Sequence, residues 1–508
     1  MRSVRHSWLA ISAAALVASL CLTSTPAAAR GSAPDPGQRP VASPAPASSA
    51  PGPSRPSSAE PEQDPPLPPG DEQRPLPDGL EPVPEPAWFW VPRVVLFPLY
   101  AASEFLVRRP LGLLVTFEEK YHWRERYHDL LTFGPEQQVG IFPTGRLDVG
   151  QRLTVGAFAY WNDIVRSSDL RLRAVTGGER SWNVAGAWRY RSPEGARLAA
   201  TATAYKLPDR SFHGFGPRSS SSGWVYEESA VDVRAAYAAP LVAAVPPLEG
   251  TLYAGHLWKA YQPGLASVGK PALSEAIASG QLDAPPALED GFSTLYAGLG
   301  IALDTRGRRL TPSPHEVSDF EHRSGSGLGV DARVRMNQGL RSTRAAAGDA
   351  RATPRWLAYG GSLDATLDLT GTQRRLDATL AVAFADALPG AGAIPFSELV
   401  WLGGAHPLRG FRDHRLVDRS AAVGTLTYRW PIWVYLDGNL HYAVGNVFGA
   451  QLAGFEPELL RSSFGIGVSS AASSDNPFEA LLALGTRPFQ DGGGVESVRF
   501  VFGTSAGF

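Results

Sequence analysis

One cysteine and two methionines occur in 508 residues, and the charges balance to −2. The cysteine, Cys21, lies inside an amino-terminal apolar run, so removal of that run leaves a chain without thiols. Disulfides and thiolate metal centres are then excluded, and such a chain suits an oxidising compartment. Leu20, before Cys21, is a poor match to the small residue that lipoprotein processing requires. The near-neutral charge, with arginines scattered along the chain, leaves no basic stripe for nucleic acid. Hydrolase signatures are missing too: there is no Gly-x-Ser-x-Gly elbow and no His-Glu-x-x-His pair. His315, Glu316, Asp319, Glu321 and His322 lie close together, but between Pro-rich and Gly/Ser-rich flanks that give metal geometry no scaffold. They read as a solvated loop. Neither enzyme activity nor a cofactor or metal is expected.

What is present divides the chain into four parts. Arg2 and Arg5, the apolar stretch from Trp8 to Leu22, and Ala27-Ala28-Ala29 form an export signal with a cleavage site over residues 1–29. Residues 30–87 are a low-complexity tract, roughly 30% proline against a usual level of about 5%. With so few apolar side chains it reads as a disordered spacer. Residues 88–135 are aromatic and apolar, then charged. Pro98, Glu104, Arg108, Arg109 and Pro110 interrupt them too often for a helical span of about 20 apolar residues. The pattern predicts two short helices, over 94–107 and 111–130. Trp88, Phe89 and Trp90 suit either a membrane–water interface or packing against a larger body.

From 136 to 508 the pattern is alternation with period 2. In "RLDATLAVAFA", Leu376, Ala378, Leu380, Val382 and Phe384 share one face, and Asp377, Thr379, Ala381 and Ala383 the other. Such segments run about 10 residues, the length of a tilted strand crossing a bilayer. Sixteen can be counted, starting near 136, 150, 170, 181, 196, 222, 248, 291, 325, 356, 372, 420, 435, 460, 476 and 497. Many even-numbered connections are short and many odd-numbered ones long, the asymmetry of an outer-membrane barrel. The connection after the eighth segment breaks that rule. The fold predicted is all-β: a sixteen-stranded transmembrane barrel.

Four stretches on this pattern carry a family resemblance. "FHGFGPRS" holds Gly214 and Gly216 in a Gly-x-Gly loop after the fifth segment, and "LDTRGRR" puts Asp304 and Arg306 in an Asp-x-Arg turn after the eighth. "GGAHPLRGF" supplies Leu408, Arg409, Gly410 and Phe411, and "LTYRWPI" supplies Tyr428 and Arg429. The chain also ends in an aromatic, Phe508, as substrates of the barrel-assembly machinery do. In order and spacing the set resembles the bacterial surface-antigen barrels of the BamA/TamA and two-partner-secretion superfamily. The resemblance implies a sixth extracellular loop folded into the lumen, with Arg409 at its tip held by acids on the wall. The matching wall positions, Thr427 and Ala443, face the lumen by parity but are not acidic. Asp364, Asp368, Asp377, Asp437 and, within the loop, Asp413 are the candidate substitutes. His441 is expected to face the lumen as a satisfied wall residue.

Insertases and secretion pores of that superfamily carry periplasmic POTRA domains of βααββ pattern, which residues 31–135 lack. The resemblance therefore points to a branch without them. The expected function is transport or insertion of protein or lipid at the outer membrane, with opening between the first and last strands. The alternative is a passive or plugged barrel. Expected partners are outer-membrane lipids, the assembly machinery during biogenesis and a periplasmic partner. The segment 88–130 would lie in the lumen or along the membrane–water boundary.

Overall fold

The computed structural model describes residues 116, 120, 121 and 123–504, apart from 243–247, 265–269, 307–324, 345–350, 370–373, 406, 434–435 and 471–477. The export signal with Cys21, the proline tract, the first expected helix, the His315–His322 cluster and Phe508 lie outside the described residues.

Alternating residues become sixteen long strands: β1 Val139–Asp148, β2 Thr154–Asn162, β3 Ser168–Thr176, β4 Trp182–Arg191, β5 Arg197–Phe212, β6 Trp224–Val242, β7 Leu248–Pro263 and β8 Phe292–Asp304. The second half continues with β9 Gly327–Gly339, β10 Arg355–Asp368, β11 Arg375–Ala387, β12 Ser420–Trp433, β13 Leu436–Phe448, β14 Arg461–Ser470, β15 Phe478–Thr486 and β16 Val495–Thr504. Each pairs antiparallel with its sequence neighbour, and β16 returns to β1, closing the sheet into a barrel. Each of the sixteen segments read from alternation falls on one of these strands. The connection after β8, which runs against the short-turn pattern, is mostly outside the described residues.

Period 2 sends alternate side chains to opposite faces of the wall. Outward residues are apolar and bare: Leu363, Leu380, Leu426, Ile466, Leu482 and Phe502 are all exposed. Their inward neighbours include Asp364, Asp377, Thr427, Arg429 and His441. An apolar outer belt around a polar interior is the pattern of a barrel that spans a bilayer.

Among the described residues, the register of the closing seam runs from Arg146–Gly503 through Leu147–Phe502 to Asp148–Val501, and Thr504, one position past Gly503, is the last described residue of β16. Beyond it the β1 edge meets a two-residue strand, with Thr132 opposite Gly140 and Phe133 opposite Val139. Backbone polarity also alternates: Val149 N–H donates to Phe500 O at 2.9 Å, while Gln138 O accepts from Asn162 N–H on the β2 side at 2.7 Å. Odd residues of β1 therefore address the seam, and Pro143, which has no N–H, removes a donor from that edge rather than from the β1–β2 ladder. A helix, Trp123–Leu131, leads into this region, close to the second expected helix. Its Tyr127 and His128 rings lie 6.5 and 5.7 Å from that of Phe142 on β1.

Candidate functional site: a loop tip docked beside the seam

The chain between β11 and β12 folds into a narrow ribbon, pairing Val400 with Asp418, Trp401 with Val417 and Leu402 with Leu416. Gly403, at φ 116°, turns the chain where a side chain would overlap the Arg412 carbonyl. The tip is then closed by Gly404 N–H to Phe411 O at 2.9 Å and Phe411 N–H to Leu408 O at 3.0 Å. Leu408 and Phe411 are fully buried, in a cluster with Ala421, Val423, Ala443 and Val447 on β12 and β13. This explains why Ala443 is not an acid: its position serves as an apolar seat for the tip. Thr427 is part of a polar relay instead. Its Oγ1 lies 2.9 Å from His441 Nδ1, and His441 Nε2 lies 2.7 Å from Pro407 O. A carbonyl only accepts, so Nε2 carries the hydrogen, and the Thr427 hydroxyl, which can donate or accept, completes the contact at Nδ1. His441 thereby ties wall to loop.

Arg409 pairs with Glu479 on β15, and both side chains are largely buried. None of the five aspartates expected from the sequence holds it. Asp364 accepts from Thr379 at 2.6 Å and Ser362 at 2.7 Å, and Asp377 from Thr366 at 2.8 Å, within a polar network on β9 to β12. Asp368 and Asp437 lie at the opposite, short-turn ends of β10 and β13 and have contacts of their own. Asp413 pairs with Arg210 at the end of β5, with His414 Nδ1 3.3 Å away. Burial opposes a charge on Asp413, but His414 and Arg210 overcome it and hold the carboxyl well below its usual range.

Gly410 lies against the wall so closely that a Cβ would overlap the Leu484 carbonyl. Its N–H donates to Ser463 Oγ at 2.7 Å on β14, and Ser497 on β16 donates to its carbonyl at 2.7 Å. The neighbouring β16 residue on the lumen face, Arg499, joins three elements. Its Nε and Nη2 reach both oxygens of Asp148 on β1 at 2.6–3.2 Å, and Nη1 donates to Gly404 O and, at 3.1 Å, to Arg409 O. Arg499 and Asp148 are each 4% exposed, so one buried guanidinium ties the tip to both sides of the closing seam.

The remaining sequence motifs support this arrangement. Gly214 and Gly216 take φ of 87° and 91°, which favours glycine. That turn lets Gly216 N–H reach Val417 O on the ribbon at 3.1 Å, and Pro217 O accept from Asn446 and Arg461 on the wall, both at 3.2 Å. Arg415 of the loop donates to Ser219 Oγ at 2.8 Å, and Arg415 and Arg461 share Glu496. In the same turn the His213 ring covers Gly223, and burial together with Arg415 lowers its pKa to about 3. Asp304 and Arg306 form a forked pair at the other end of the barrel, with contacts of 2.6–3.1 Å. On β12, Tyr428 stacks on Trp430 on the outer face at 5.5 Å, while Arg429 turns inward, 3.7 Å from Asp377. Glu479 and the Arg499–Asp148 pair were missed in the sequence, although each has lumen parity.

No protein-family model and no curated protein matches the chain. Among solved structures it is similar to BamA from Haemophilus ducreyi lacking POTRA domains 1–3, at TM-score 0.46 and 12% identity over 72% of this chain and 70% of that one. It is also similar to CdiB from Acinetobacter baumannii, at TM-score 0.43 and 11% identity over 72% of this chain and 59% of that one, less than two thirds of its length. At these levels the likeness is one of barrel architecture.

Proposed function

We propose that the protein is an outer-membrane barrel that moves or inserts a macromolecule, protein or lipid, by parting β1 from β16. The observation that carries this reading is the seam itself: Pro143 withholds a donor on its β1 edge, and the buried Arg499 that bridges it also grips the loop tip. A backbone hydrogen bond contributes about 1 kcal/mol net, so a seam that lacks the Pro143 donor opens at lower cost than one with every donor in place. Client delivery would fall to a periplasmic partner.

An open passive pore has less support. The loop from β11 to β12 crosses to the opposite wall, where Phe396 packs on Phe212, Tyr226 and Tyr261 with ring separations of 4.9–5.6 Å. There Lys259 on β7 and Arg335 on β9 both hold Glu398, at 3.0 and 3.1 Å. Chain therefore lies across the long-loop mouth.

The test is to lock the seam. Thr144 on β1 and Thr504 on β16 touch through their hydroxyls, so Thr144→Cys with Thr504→Cys should form a disulfide. In cells depleted of the wild-type protein, the oxidised barrel should fail to restore the normal outer-membrane protein and lipid profile, and reductant should rescue it. Equal restoration by the oxidised and reduced forms would establish a passive barrel.

A further inference from the structure

Beside the seam, the lumen carries more arginine than acid. Arg499 is matched by Asp148, and Arg409 by Glu479. Arg171 is matched by Asp169 at 3.1 Å. Arg146 on β1 and Arg173 on β3 have no such partner. Arg146 is half-buried, and its guanidinium makes no hydrogen bond or ion pair among the described residues. Arg173 is only 8% exposed. It offers five N–H donors, yet its one acceptor is Thr504 O at 3.3 Å, and its buried Nε has no partner. A buried charge served by one long hydrogen bond is costly unless an anion completes it.

The two guanidiniums converge. Arg173 reaches across β2 and β1 to Thr504, and the residue before Thr504, Gly503, is the register partner of Arg146. Both side chains point into the lumen, on the parity of Asp148 and Asp169. We propose that Arg146 and Arg173 form an anion site inside the barrel, directly behind the closing seam, that takes a phosphate group. Two separate guanidinium forks suit a phosphate, whose several oxygens can accept from both at once. On the same lumen face the half-buried rings of Phe142 and Tyr160 stack 6.0 Å apart. They give the apolar part of a phospholipid a wall to lie on. The site stands on these contacts and is independent of the transport reading.

The experiment uses the full barrel, purified in a neutral detergent, with binding read by native mass spectrometry. The probes are phosphatidylglycerol, zwitterionic phosphatidylcholine and inorganic phosphate. Phosphatidylglycerol should be retained in preference to phosphatidylcholine. Arg146→Gln and Arg173→Gln should each weaken it about tenfold, the effect of removing one charge-assisted contact. Arg333→Gln removes an exposed lumen arginine that pairs with Asp331 elsewhere and should leave binding unchanged. Binding of inorganic phosphate but not the lipid, still dependent on Arg146 and Arg173, would support the site and assign it to soluble phosphate. Equal retention of the two lipids with no phosphate binding would overturn it, as would undiminished binding in the double variant. So would an equal loss in Arg333→Gln. Heat-modifiable mobility on gels reports folding; should Arg173→Gln not fold, the half-buried Arg146→Gln carries the test.

Discussion

Glu479→Ala isolates the contact that holds the loop tip by charge. It leaves the Arg409 guanidinium buried, 8% exposed, with its Nε already unpartnered. Removing one member of a buried ion pair costs about 3–5 kcal/mol. Water reaching the 13% of Glu479 that is exposed brings the expected loss to about 2–3 kcal/mol. The tip has other anchors: two hydrogen bonds to Gly410, worth about 1 kcal/mol each, and the burial of Leu408 and Phe411, worth about 1.5–3 kcal/mol each. It should therefore remain docked on average but leave its seat more often, by roughly thirty- to a hundredfold. Leu408 is 0% exposed when docked, so the modification rate of Leu408→Cys by a water-soluble maleimide reads the undocked fraction. Glu479→Ala should raise that rate by the stated factor. Arg409→Met with Glu479→Leu should return most of it, because an apolar pair leaves no buried charge. An unchanged rate in Glu479→Ala would show that the ion pair does not hold the tip.

Other changes follow from the same geometry. Gly410→Val should undock the tip even with Glu479 intact, since its Cβ meets the Leu484 carbonyl; the same labelling rate should rise. His213, with its pKa lowered to about 3, is neutral in the packed turn, whereas the unpacked turn binds a proton near pH 6.5. Packing of residues 213–223 should thus be at full strength above pH 6.5 and weaken as pH falls toward 3, by up to about 1.4 kcal/mol per unit. Hydrogen–deuterium exchange of that segment, corrected for intrinsic rates, checks it. Arg306→Ala breaks a partly exposed pair at the far end of the barrel and should cost about 1 kcal/mol in thermal stability, without altering labelling at position 408.

Alternation placed all sixteen strands because burial on one face and lipid on the other impose a period that survives in the sequence. Parity likewise put Thr427, Ala443 and His441 on the lumen face. Parity does not give height. Which lumen residues lie level with the loop tip depends on the stagger between strands, and that accumulates around the barrel from pairing registers. Asp364 and Asp377 have the right face but are engaged by neighbouring hydroxyls, with Arg429 beside Asp377. Glu479 is the second residue of "FEALLALGT", where its acidity looks like the end of a strand; only the register opposite Gly503 and Ser469 brings it to Arg409. The Arg499–Asp148 pair spans 351 residues of sequence, and nothing local marks it.

The central claim is that β1 and β16 part, and that Arg499 couples this opening to the loop tip. Spin labels at Val155→Cys on β2 and Phe502→Cys on β16, both on the lipid-facing side, report the seam by pulsed dipolar spectroscopy in nanodiscs. The wild-type barrel should give one short distance, and Arg499→Ala should add a longer, well-populated component. A single short distance in both proteins would contradict the account.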